Sequence, residues 1–208
     1  MKRLLFDLKF WRRFIIGKPQ TGFEYTMGKL PVNNISLSSD ASSSYGMAGV
    51  LTFDHEDNKS SNLAGLFWQV TWDEWATMAA IPELRPGLVD INIAEFIAAL
   101  ITCETFADRC EGRITTLQVD NCTAKVWMDT ARCTRAPFDR CAQGIHLHIL
   151  KKNMKVKTVW ISSAENVVAD FCSRRTFPRH KKGHIHIIAG HHFRRISPKY
   201  LNLLRFLK

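Results

Sequence analysis

Four acidic side chains, Asp40, Glu95, Asp120 and Asp170, are the residues of this 208-residue chain whose types and placement suggest chemistry. Carboxylates gathered at one spot repel one another unless cations lie between them. An all-oxygen donor set suits Mg2+, which keeps several waters and binds through a few carboxylates plus a substrate phosphate, with Mn2+ as the alternative. Two such ions about 3.5–4 Å apart can activate an attacking water and stabilise the leaving oxygen of an in-line displacement. The expected chemistry is hydrolysis of a phosphodiester. Taken singly, each residue has a plainer explanation. Asp40 could be a turn residue, Glu95 a solvated helix residue, Asp120 the N-cap of the next helix, and Asp170 the (i, i+4) partner of Arg174. The order of the elements that carry them lifts the four above those explanations.

Those elements are legible in the periodicity. Ile35 and Leu37 alternate with Ser36 and Ser38 and lead into Asp40, the pattern of a strand. A Ser-rich turn, an apolar run from Tyr45 to Phe53, a polar loop and a third run from Leu63 to Trp72 complete an antiparallel meander. Residues 73–90 read as irregular. A helix from about Ile91 to Cys110, with Ile93, Ile97, Leu100 and Ile101 on its buried face, carries Glu95 beside Ala94, Ala98 and Ala99. Ile114 to Val119 form a strand ending at Asp120, and a short helix begins at Cys122. Pro137 suits the first turn of a further helix, with Phe138, Cys141, Ile145 and Ile149 as its apolar stripe. Val156 to Ile161 give the last strand, and the side chain of Asn166 is expected to cap the helix that holds Asp170. This order predicts an α/β fold: a mixed five-stranded sheet, its first three strands antiparallel, flanked by helices. If the first and fourth strands are adjacent and parallel, Asp40 and Asp120 emerge at one sheet edge, where open α/β sheets place their sites.

Charge divides the chain as the elements do. With 46% hydrophobic residues it can bury a core, and its net charge of +10 points to a polyanionic partner. Residues 1–30 hold seven Lys/Arg and two acids (+5), residues 31–176 fourteen and seventeen (−3), and residues 177–208 eight and none (+8). The expected organisation is a helix and linker over 1–33, a catalytic domain over 34–176 and a basic C-terminal extension over 177–208. Leu4, Leu8, Trp11 and Ile15 make the first segment amphipathic, which reads as a helix packing on a neighbouring domain rather than on a membrane. The six cysteines form no C-x-x-C pair or framework, and no apolar run reaches 18 residues. The expectation is an intracellular protein, cytoplasmic or nuclear, with no membrane span.

Four segments carry a family resemblance: SLSSDASSSYGMAGVL (36–51), DINIAEFIAALITCETFAD (90–108), TTLQVDNCTAKVWM (115–128) and VWISSAENVVADFCSR (159–174). They resemble the four acidic motifs of a ribonuclease H domain, most of all those of retrotransposon polyproteins of the DIRS- and Ty3-like kinds. DLKFWRRFI (7–15) looks like the end of the connection segment that follows a reverse transcriptase. The resemblance implies a ribonuclease H-like fold in which Asp40, Glu95, Asp120 and Asp170 are catalytic and bind two Mg2+ ions. It also implies cleavage of the RNA strand of RNA–DNA hybrids within a retroelement replication machinery, with a reverse transcriptase domain as a further partner. The loop before the last helix, Ser162-Ser163-Ala164-Glu165, lacks the His of cellular members, so turnover is expected to be slower.

The grip on substrate is read from other residues. Ser39 and Asn121 flank the acids and are candidates for contact with the sugar 2′-hydroxyl. Arg179, Lys181, Lys182, Arg194 and Arg195 are candidates for phosphate binding through counterion release, set against a solvated basic tail. His184, His186, His191 and His192 lack the Cys pair or acid expected of a zinc site. Trp68, Trp72, Trp75, Trp127 and Trp160 read as core or helix–sheet packing rather than base-stacking platforms. Two alternatives stand beside the nuclease. One is a catalytically weak nucleic-acid-binding or docking module, in keeping with the acidic middle of the chain. The other, a transposase-type nuclease, is disfavoured by an acid in the long first helix.

Overall fold

The computed structural model describes residues 32–53, 63–79, 90–175, 177 and 185–199. The segments read as an N-terminal helix and a connection tail, and most of the segment read as a linker, lie outside them. The alternating first segments become β1 (Val32–Ala41), β2 (Gly46–Phe53) and β3 (Leu63–Thr71). β1 pairs antiparallel with β2, and β2 with β3. Next come α1 (Trp72–Ala79), α2 (Ile91–Phe106) with a 3-10 turn over Ala107–Arg109, and β4 (Ile114–Val119). They are followed by α3 (Cys122–Thr130), α4 (Ala136–Lys151), β5 (Lys155–Trp160) and α5 (Val167–Ser173). Finally β6 (Ile185–Ile188) and β7 (His191–Arg195) form a hairpin.

The sheet differs from the expected one in strand number and orientation. It has seven strands in the order β5-β4-β1-β2-β3-β7-β6, and β7 runs parallel to β3. The two added strands come from the segment read as a basic extension. Their hairpin closes through Ala189 (φ 49°) and Gly190 (φ 80°), between the paired residues Ile188 and His191. Two successive positive φ values are what a two-residue turn needs to match strand twist, and Gly190 supplies one without strain. Ile188 and Phe193 then bury against Phe67 and α5, so the hairpin belongs to the fold.

Helix α1 occupies part of the stretch read as irregular. Thr71 and Glu74 form a reciprocal cap, the Glu74 amide donating to Thr71 Oγ1 at 3.2 Å and the Thr71 amide to Glu74 Oε2 at 3.0 Å. That Thr-x-x-Glu signature was present in the sequence. Trp72 and Trp75 are buried beneath it, and the Trp72 indole donates to Ser42 O at 2.7 Å.

The sheet carries helices on both faces. On one, Leu37, Met47, Leu51, Trp68, Leu117 and Val119 pack under α2, α3 and α4. Helix α2 is buried at every position from Ile93 to Phe106, because it lies between the sheet and the other helices. It approaches closely where β2 has Gly49, since a Cβ there would stand 2.0 Å from Thr102 Oγ1 and 2.3 Å from Trp68 Nε1. On the other face, the short α5 packs Ala169 and Cys172 on Ala48, Val50 and Phe67.

Candidate active site

Strands β1 and β4 are adjacent and parallel, with Ser38 beside Gln118. Two residues further on, Asp40 and Asp120 leave the sheet at the same level. Asp90 caps α2 by accepting the Asn92 amide at 3.0 Å, which sets the first turns of the helix over this edge. Glu95 is thereby brought to the end of β1, where its Oε1 accepts the Ala41 amide at 3.1 Å. One oxygen from each of Asp40, Glu95 and Asp120 lies within 4.8 Å of the others. Among the described residues no histidine or cysteine joins such a group.

The electrostatics are those of a site built for a cation. Asp40 and Glu95 are 2% and 5% exposed. Burial, reinforced by the neighbouring carboxylates, pushes Glu95 up to about 9 and Asp40 up to about 7. Glu95 Oε2 is buried with no hydrogen-bond partner, a costly state that a hard cation would relieve. The residues therefore fit a divalent ion held by oxygen.

Asp120 is not the cap of α3. Asn121 is, accepting the Ala124 amide at 2.9 Å and donating to Asn92 Oδ1 at 3.0 Å, which leaves the Asp120 carboxylate to the cluster. The Asp120 carbonyl accepts the Trp160 indole N–H at 2.9 Å. Trp160 is 48% exposed at the end of an edge strand, so the expectation that it is a core residue is corrected.

Asp170 does not join the three. It lies near enough to raise Asp40, yet its Oδ1 pairs with Arg174 Nε at 2.5 Å, the plain (i, i+4) partner named from the sequence. Asn166 does not cap α5 with its side chain either. Instead its Nδ2 donates to Ser39 O at 3.0 Å, tying the start of α5 to β1. At the other end Gln69, buried on β3, donates to Cys172 O at 2.7 Å. Ser173, fully buried, donates from its hydroxyl to Asp40 Oδ2. Sequence reasoning missed these three positioning contacts. The Asn and Ser were visible seven residues apart around Asp170, but nothing in the sequence places them against β1.

The other site candidates separate. Ser39 is fully buried, so its hydroxyl faces no solvent and its carbonyl serves the clamp just described. Asn121 stays at the cluster's rim. Arg194 is exposed on β7, and Arg195 donates to Phe177 O at 2.8 Å. Both lie across β1, β2 and β3 from the strand that carries Asp120. Arg179, Lys181 and Lys182 lie outside the described residues. His186 stacks edge-on against Phe67 and Phe177. In the loop lacking a histidine, Glu165 accepts from Ser162 N at 2.9 Å and Oγ at 2.7 Å, which lowers its pKa and ties it to its own turn.

No protein-family profile and no characterised protein matches this sequence. Among solved structures, the chain is similar to RNase H1 from the halophilic archaeon Halobacterium salinarum NRC-1. Identity is 16% and the TM-score 0.44, over 66% of this chain and 92% of that one. It is also similar to the N-terminal RNase H domain of a Mycobacterium tuberculosis protein, solved as a fusion with maltose-binding protein. There identity is 13% and the TM-score 0.43, over 66% and 87%.

Proposed function

We propose that this chain is a ribonuclease H-type endonuclease that hydrolyses the RNA strand of RNA–DNA hybrids, as part of a retroelement replication machinery. One observation carries the reading: three carboxylates from β1, α2 and β4 meet at one sheet edge, with a buried, unpartnered oxygen among them. The four acidic motifs in the sequence supply the substrate class. Asp40, Glu95 and Asp120 would hold a first Mg2+, and Asp170 together with Asp40 would hold a second. Bound there, such ions would supply activation of the attacking water and charge stabilisation at the leaving 3′-oxygen. The protein's own residues orient the carboxylates. Ser173 fixes one oxygen of Asp40, the Ala41 amide fixes one of Glu95, and Trp160 anchors the backbone of Asp120. Glu165, held ionised in its turn, is no proton shuttle, which supports slow turnover.

The test is incubation of the full chain with labelled hybrid in Mg2+. Cleavage of the RNA strand to 5′-phosphate ends is expected, with loss of on the order of a thousandfold or more in Asp40→Asn. An inert wild type, or an Asn variant as active as wild type, would end this proposal. The separation of Asp170 from the other acids favours one second reading, a catalytically weak module that binds hybrid. Salt-dependent binding without cleavage would select it.

A further inference from the structure

Asp170 stands apart from the other acids and has a partner of its own. Its carboxylate is engaged one helical turn on by Arg174, whose side chain is 58% exposed and takes no part in the core. Arg174 follows Ser173, which is bonded to Asp40, so the guanidinium is held beside the cluster by the same turn of α5. Its charge acts on Asp40 and Asp120 as well as on Asp170. A guanidinium placed among carboxylates does part of what a metal ion would do.

We propose that Arg174 is a built-in competitor for the second metal ion: it occupies Asp170 while that ion is absent and must release it for the ion to bind. The inference rests on the two-ion reading above and assigns Arg174 as a positioning residue that sets the affinity of one site. Two consequences follow from the charge alone. The first site, at Asp40, Glu95 and Asp120, fills at lower metal concentration than the second. A substrate phosphate favours the second, because a released guanidinium is a strong bidentate phosphate donor. Substrate and second ion thus stabilise the same arrangement of Arg174.

The experiment is a calorimetric titration of Mn2+ into the full chain without nucleic acid. Wild type is expected to show a tighter and a weaker site. Arg174→Ala should tighten the weaker one roughly tenfold, through loss of the positive charge paired with Asp170, and the tighter one by clearly less, because Arg174 pairs with none of its ligands. Arg174→Gln, which keeps length and a hydrogen-bond donor but drops the charge, should do the same. Asp170→Asn should remove the weaker site in either background. An unchanged weaker site in both Arg174 variants overturns the proposal, as does tightening in the Ala variant alone or equal tightening of both sites. A wild type that binds no Mn2+, or binding that survives Asp40→Asn with Glu95→Gln, is a different result. It removes the metal reading itself.

Discussion

At the scale of single residues, burial makes ionisation of the clustered acids costly, a cost that a bound proton or a metal ion relieves. Folding raises Glu95 from its ordinary 4.5 to about 9 and Asp40 from 3.8 to about 7, so the folded protein holds more protons than the unfolded chain between those limits. The stabilising contribution is full below the unfolded values and is lost as pH rises through the folded ones. In chelator, the melting temperature is therefore expected to fall between about pH 5 and pH 9, and Mg2+ should restore it most at the alkaline end. Glu95→Gln retains an acceptor for the Ala41 amide but cannot ionise. In chelator at pH 8 it should raise stability by on the order of 2 kcal/mol while abolishing cleavage. A destabilised Gln variant under those conditions would show that the burial of Glu95 carries no such cost. The sequence named the four acids but gave no sign of this cost, since it depends on their being a few ångströms apart inside the protein.

Elements were legible where their signal is local. β1 follows from alternation, β2 and β3 from their apolar runs, and α4 from its apolar stripe and its proline. α1 was missed although its Thr71-to-Glu74 cap is a local motif, because a cap competes with the weak periodicity of eight residues. The β6–β7 hairpin was missed because its basic, His-rich strands look like a solvated tail until they pair. Its turn offers a direct check. Ala189 sits in the left-handed region at φ 49°, so Ala189→Gly should stabilise the protein by about 0.5–1 kcal/mol in a denaturant titration. Destabilisation there would contradict the hairpin. Gly49 makes the opposite case. It is opposite Ser39 on β1 and Trp68 on β3, and Gly49→Ala drives a methyl into Thr102 and Trp68. A loss of about 1–3 kcal/mol is expected, and a neutral variant would mean that α2 does not sit this close to the sheet.

Across the described fold, the site is assembled from parts far apart in the chain. α2 and α3 fix the acids of one side. α5 reaches the other side of β1 only because Asn166 and Gln69 clamp its ends and Phe193 and Ile188 close the small core beside it. The division at residue 176 cuts through that core. Phe193→Ala, at a position 2% exposed, should cost about 3 kcal/mol by thermal or denaturant unfolding. It should also weaken the Mn2+ site that needs Asp170 more than the site that does not. A surface-like loss below about 0.5 kcal/mol would return the hairpin to the status of an appendage. The described sheet also leaves the acids and the cations of β7 on separate strands. Purchase on a polyanion is thus expected from the basic flanks, and a steep fall of hybrid affinity with salt would measure it.

By itself, the sequence determined which side chains could do chemistry and which strand and helix carries each. Residue type and local periodicity are properties of neighbours along the chain. Only the tertiary structure decided that Asp40, Glu95 and Asp120 meet without Asp170, and that Asn166, Gln69 and Ser173 hold the frame. Those outcomes depend on strand order and on which faces are buried together. Contacts spanning 54, 127 and 133 positions leave no trace in local pattern, because nothing nearby in the chain forces them.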